Sequence, residues 1–298
     1  MKKISNPLNT SWYADPEARF YDGRYCIYVT QSFTEYERQL NIDMLVSSDL
    51  ENWEKKTNIV NMEDFPWATK AIWAPTIIEK NGKYYLIFAS NDIHEDFEGG
   101  GLEIAVADNP EGPFRGYLGK PLIGNIINGA QPIDAHLFKD DDGTVYLYYG
   151  GWGHCNLAIM NDDMTGFVPH EDGSVFKEIT PDDYVEGPCV FKKDGLYYFM
   201  WSSGSWTNET YGVNYGTSPS PYGPFEKKAK ILSQNPEIAT GPGHNGYLEL
   251  DDGKMLIVYH RHPLDSKEPG CRVLCIDKMD VTDGVIFPIV MTNECLIE

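Results

Sequence analysis

The chain has 298 residues, of which 42% are hydrophobic and 23% charged, the composition of a packed globular protein and not of a disordered or fibrous one. Its formal charge of -21 and a pI near 4.6 repel phosphate backbones, and no Lys/Arg cluster overrides that field, so nucleic acid is not expected as a partner and a neutral ligand fits best. No window approaches a membrane span, and Met1 to Pro7 has two lysines without a following apolar run, which points to a cytoplasmic protein with no membrane partner.

Taken in chain order, the sequence repeats one pattern five times: an apolar start, a turn of the Asp/Asn-Gly kind, and an aromatic strand. Ala14-Asp15-Pro16 leads through Asp22-Gly23 to Tyr25-Cys26-Ile27-Tyr28, and Trp73-Ala74-Pro75 leads through Asn81-Gly82 to Tyr84–Phe88. Ile133-Asp134-Ala135 leads through Asp142-Gly143 to Tyr146–Tyr149, and Val185-Glu186-Gly187-Pro188 through Asp194-Gly195 to Tyr197–Met200. The fifth copy runs from Gly243-His244-Asn245 through Asp252-Gly253 to Leu256–Tyr259. Asn-Gly and Asp-Gly favour the positive φ of a tight hairpin turn, so each copy reads as a β-hairpin.

A third strand-like run follows each hairpin: Met44 to Asp49, Leu102 to Ala107, Leu157 to Met160, Val213 to Thr217 and Arg272 to Ile276; a more polar fourth usually comes after it. Repeats of this size without helical periodicity predict an all-β, five-bladed β-propeller with four antiparallel strands per blade, one domain over residues 1–298. The six cysteines lack metal-like CxxC spacing, and several lie in apolar runs, so they are expected as reduced packing residues.

Counted back from the turn glycine, Asp134, Glu186 and His244 stand nine residues before it and Trp73 holds the same place, while Asp15 stands eight before Gly23. In a propeller the start of the first strand faces the axis, so these positions should ring one cavity. Taken singly, Asp15 before Pro16 reads as a turn cap and Glu186 before Gly187-Pro188 as a solvated loop residue. Three carboxylates at repeat-related positions instead bring like charge together, a cost more often accepted for function than for packing. Two carboxylates across a glycosidic bond supply the acid and the base, or nucleophile, of its hydrolysis. Trp73 and Trp152 are core aromatics or sugar-stacking platforms, and Arg272 is a surface charge or an inward donor to hydroxyls.

These motifs resemble glycoside hydrolase family 43 along almost the whole chain. Asn6-Pro7 with Tyr13-Ala14-Asp15-Pro16 resembles the family's opening segment, and Trp73-Ala74-Pro75, Ile133-Asp134, Glu186-Gly187-Pro188 and Gly243-His244-Asn245 its later blade signatures. The resemblance implies an inverting mechanism with Asp15 as general base, Glu186 as general acid and Asp134 raising the acid's pKa and orienting it. It also implies an arginine at Arg272 contacting the sugar, and a central calcium held by His244 and otherwise mostly by water. The expected substrate is a neutral pentose-containing oligosaccharide derived from arabinoxylan. Exo release of α-L-arabinofuranose, with β-D-xylose a further product, is set against endo-arabinanase action and against a non-catalytic sugar-binding propeller. A phosphorylase would need a phosphate cradle, for which Arg261, His260, His262 and Arg272 are the candidate set. The Arg-Asp-Pro motif of sucrose-cleaving propellers is absent.

Overall fold

A computed structural model describes residues 2–266 and 268–297. Five of its antiparallel sheets are arranged as the blades of a propeller, and two short two-stranded sheets lie beside them. From the innermost strand outward, blade one is Tyr13–Tyr21, Arg24–Gln31, Ile42–Ser47 and Glu54–Lys56, and blade two is Trp73–Lys80, Lys83–Ser90, Gly101–Ala107 and Arg115–Gly116. Blade three is His136–Lys139, Val145–Tyr149, Asn156–Met160 and Phe167–Val168, with the short Lys177–Glu178 also paired to its third strand. Blade four is Glu186–Lys193, Leu196–Ser203, Gly212–Ser218 and Glu226–Leu232.

Blade five has three strands in its own sheet, Ala239–Glu249, Met255–Pro263 and Val273–Met279. Along its outer edge runs the start of the chain. Leu8 N–H donates to Leu274 O at 3.0 Å and Asn6 exchanges hydrogen bonds with both backbone groups of Ile276, while Lys2–Ser5 pairs with Glu294–Ile297. Chain start and chain end thus close the ring together. The helical content of the described residues is two single 3₁₀ turns, and no helix is long and apolar enough to cross a membrane.

The period of two explains why the aromatic strands are apolar throughout. Successive side chains point to opposite faces, and each face of a blade packs on a different neighbour. In Tyr197-Tyr198-Phe199-Met200, Tyr197 and Phe199 join the cluster shared with blade three, whereas Tyr198 and Met200 join the one shared with blade five. Five such clusters fill the five gaps between blades, and the one between blades five and one includes Ile4, Cys295 and Ile297 of the terminal ribbon. Five of the cysteines are buried in these layers, Cys271 is partly exposed, and all six are thiols.

Candidate active site

Each innermost strand carries a one-residue β-bulge near its start, where the pairing slips between Ala14 and Glu17, Trp73 and Thr76, Glu186 and Cys189, and Gly243 and Asn245. In blade three the same slip lies between Ile133, bonded to Gly150, and the pair His136 with Tyr148. A bulge re-aims the side chain that sits on it. The bulge residue in each blade is left-handed: Asp15, Ala74, Asp134, Gly187 and His244 have φ of 51°, 46°, 56°, 65° and 40°.

This corrects the equivalence drawn from the turn glycines. Blades one, two and four turn on two residues, between Tyr21 and Arg24, Lys80 and Lys83, and Lys193 and Leu196. Blades three and five turn on five, between Lys139 and Val145 and between Glu249 and Met255. The longer turn displaces the count, so Asp15, Asp134 and His244 are equivalent, while Trp73 and Glu186 stand one residue ahead of their blades' bulges. All five nevertheless line one cavity of about 420 Å³, together with Trp152, Arg272, Tyr36, Gln39, Asp92, His94, Gln131 and Trp206.

Gly187 shows why the blade-four bulge carries no side chain. A Cβ there would lie 3.2 Å from Ser202 Oγ and 3.3 Å from the His244 ring, at a φ that a side chain disfavours. Its N–H donates to Asp134 Oδ2 at 3.0 Å, and the His244 N–H donates to Ser202 Oγ at 2.9 Å. The His244 imidazole then sits with Nδ1 3.5 Å from Asp15 Oδ1 and 3.4 Å from Asp134 Oδ2, between the two aspartates.

The three carboxyls are electrostatically unequal. Burial would raise Asp15, but the Arg272 guanidinium, with Nη1 at 3.1 Å from Oδ1, overcomes it and holds Asp15 well below the usual carboxylate range. Arg272 is itself buried and aimed: Nε donates to Ser32 Oγ at 3.0 Å, Ser32 donates on to Gly270 O, and the guanidinium lies over the Trp206 ring at 5.1 Å. Burial pushes Glu186 up, and the Asp15 charge adds to it, against the Tyr211 hydroxyl, which donates to Oε1 at 2.7 Å, and against Arg272. Asp134 is pushed up by burial and then by the charges of Glu186 and Asp15. Asp15 is therefore set to be ionised where Asp134 and Glu186 together hold a proton.

His260 lies under Asp15. It accepts the Asp15 N–H at Nδ1, 3.2 Å away, so that nitrogen carries no proton and the ring is neutral; burial takes its pKa down to about 3. The 3.4 Å separation from Asp15 Oδ1 is therefore not an ion pair. Tyr211 stacks on the same ring at 5.8 Å.

Of the sequence-predicted residues, Asp15, Asp134, Glu186, His244 and Arg272 meet at the floor, and Trp73 and Trp152 stand in the wall. Trp73 donates its indole N–H to Gln39 and packs edge-on to Tyr36 at 4.8 Å; Trp152, 44% exposed, lies 5.3 Å from His94. The candidate phosphate set is dispersed: Arg261 donates to Thr292 O and Asn293 Oδ1, His262 contacts Trp206 O, and among the described residues Arg272 is the one Arg or Lys lining the cavity. Sequence reasoning missed Tyr211, His260 as a support for Asp15, Gln39, Asp92 and Gln131, which lie outside the repeated motif.

Among the described residues no group of three His, Cys, Asp or Glu side chains is arranged to hold a metal. Asp15 and Asp134 are engaged by Arg272 and the Gly187 N–H, which leaves His244, a neutral imidazole because burial lowers its pKa. With one imidazole nitrogen as the remaining donor, a hard cation here would have to take nearly all its ligands from water.

A family model for glycosyl hydrolases family 43 matches residues 4–286. The chain is 39% identical to the Beta-D-galactofuranosidase xynD of Aspergillus niger over 98% of this chain and 86% of the relative. It is 30% identical to Xylosidase/arabinosidase 43A of Humicola insolens over 85% of this chain and 89% of that one. Among solved structures it is similar to a GH43 beta-xylosidase/alpha-arabinofuranosidase from a compost microbial metagenome, in complex with xylotriose and calcium-free. There the TM-score is 0.79 at 27% identity, covering 95% of this chain and 96% of that one.

Proposed function

The chain belongs to the family 43 glycosyl hydrolases, and from that premise we infer that it is an inverting, exo-acting enzyme releasing terminal α-L-arabinofuranose, with β-D-galactofuranose and β-D-xylose as competing glycones. The observation that carries this reading is the split among the carboxyls: Asp15 is held ionised by Arg272 while Glu186 is pushed toward its protonated form in the same cavity. That is the charge state an inverting pair needs before the reaction begins.

Asp15 takes a proton from water as the water oxygen bonds to the anomeric carbon, and Glu186 gives its proton to the departing glycosidic oxygen as that C–O bond breaks. Asp134, fixed by the Gly187 N–H, keeps the acid's pKa high and its orientation constant. Arg272 holds Asp15 ionised and offers N–H groups to sugar hydroxyls. His244 would hold a calcium ion, which when bound would supply fixed positive charge. A cavity of about 420 Å³ accommodates a terminal sugar residue, and product length on linear arabinan separates exo from endo action. The sugar-binding alternative gives the acid–base asymmetry no use.

The test is release of glycone from aryl α-L-arabinofuranoside, β-D-galactofuranoside and β-D-xyloside. Wild-type protein is expected to turn over at least one, and Asp15→Asn and Glu186→Gln to bind it while losing about 10²–10⁴-fold in rate on substrates with poor leaving groups. No turnover of any of the three, nor of short arabinoxylo-oligosaccharides, would remove the reading.

A further inference from the structure

The bulge residues of blades one, three and five serve the reacting bond, but blade two contributes no polar side chain from its own bulge. Ala74 occupies the blade-two bulge, where blades one, three and five carry Asp15, Asp134 and His244. Polar groups come instead from the connection after Lys83–Ser90 and from the segment before the blade-three strand: Asp92, His94 and Gln131, all lining the cavity. Gln131 is buried and donates through Nε2 both to Asp92 Oδ1 at 2.9 Å and to Ile93 O at 2.9 Å. Asp92 Oδ2 lies 3.4 Å from His94 Nε2, and the His94 ring packs against Trp152. Asp92 is itself left-handed at φ 51°. One carboxylate oxygen is thus braced from behind while the side chain remains partly exposed to the cavity, the arrangement of a charge-assisted acceptor for sugar hydroxyls.

Nothing in the acid–base chemistry uses this group. A β-D-galactofuranosyl unit has the ring of an α-L-arabinofuranosyl unit with one further hydroxymethyl group on the exocyclic carbon, whereas a xylopyranosyl unit has no exocyclic carbon. We propose that Asp92, braced by Gln131, receives the exocyclic hydroxyls of the glycone and makes this a site for hexofuranosyl as well as pentofuranosyl ends. The proposal rests on the exo-hydrolase reading above and sharpens it to furanosides. An acceptor placed for a further hydroxyl favours the glycone that carries it, and because Asp92 is partly exposed and already accepts from Gln131, the arabinofuranosyl end that lacks that hydroxyl is still accepted.

The test compares aryl β-D-galactofuranoside with aryl α-L-arabinofuranoside on wild type and Asp92→Asn, a change that keeps the side chain's shape and is tolerated at positive φ. Wild type is expected to cleave both. Asp92→Asn should lower kcat/KM on both and about 10-fold further on the galactofuranoside, chiefly through KM, with the thermal midpoint and the pH limbs unmoved. Gln131→Ala should shift the same ratio in the same direction by a smaller factor. Cleavage of arabinofuranoside but not galactofuranoside by wild type overturns this proposal and leaves the hydrolase reading standing. So does an unchanged ratio in Asp92→Asn. Turnover of xyloside alone overturns the furanoside claim, and turnover of none removes both.

Discussion

Replacing Tyr211 with Phe isolates one contribution to the acid's pKa. The Tyr211 hydroxyl donates to Glu186 Oε1 at 2.7 Å in a buried setting, so it stabilises the carboxylate more than the carboxylic acid. A hydrogen bond to a charged group contributes about 1.5–3 kcal/mol, part of which survives when Glu186 is protonated, and one pKa unit corresponds to about 1.4 kcal/mol. Losing it should therefore raise Glu186 by about one unit. Phe keeps the ring that stacks on His260 and packs against Gly243, so packing is conserved. In a profile of kcat/KM against pH the alkaline limb should move up by about one unit and the acid limb stay in place, with a few-fold loss at the plateau because a weaker acid donates less readily. An alkaline limb that stays still or moves down would refute the assignment of that limb to Glu186, or the role given to Tyr211.

In wild type the acid limb should lie below the usual carboxylate range, because activity is lost only as pH falls through the depressed Asp15 pKa; Arg272→Met should move that limb upward. Folding stability should decline as pH falls from about 6.5 to about 3, since across that window His260 takes a proton when unfolded but not when folded, which thermal midpoints at stepped pH would show. Gly187→Ala should cost about 1–3 kcal/mol of stability through backbone strain and reduce activity further by displacing His244, read from urea unfolding and initial rates. Glu186→Gln should lose far less rate on dinitrophenyl than on alkyl glycosides, whereas Asp15→Asn should lose similarly on both. Dialysis against EDTA should lower activity and added calcium restore it; indifference to both would take calcium out of the mechanism.

The blades were legible because the hairpin turn and the aromatic strand are local signals, repeated where each blade must bury both faces against its neighbours. That Asp15, Asp134, Glu186 and His244 face one cavity was legible for the same reason. Their equivalence was not, because two turns of five residues change the count without changing the bulge they lead to. Bulges leave only a weak trace in sequence, here the Pro after Asp15, Ala74 and Gly187. Arg272 was readable as inward or outward until its partners Asp15 and Ser32, some 240 or more residues away in the chain, were seen beside it. Tyr211 and His260 support Glu186 and Asp15 from blades four and five, and Gln131 braces Asp92 between connections of blades two and three; long-range pairings of this kind have no spacing to read. The N-terminal segment's place beside blade five follows from ring closure, a global condition that no single repeat expresses.

The central claim is that Asp15 and Glu186 act on opposite sides of the bond through water, without a covalent intermediate. Following hydrolysis of the best aryl furanoside by proton NMR from the first minutes, before the free sugar mutarotates, reads this directly. The first anomer to appear should be of configuration opposite to that of the substrate; initial formation of the retained anomer would contradict the account.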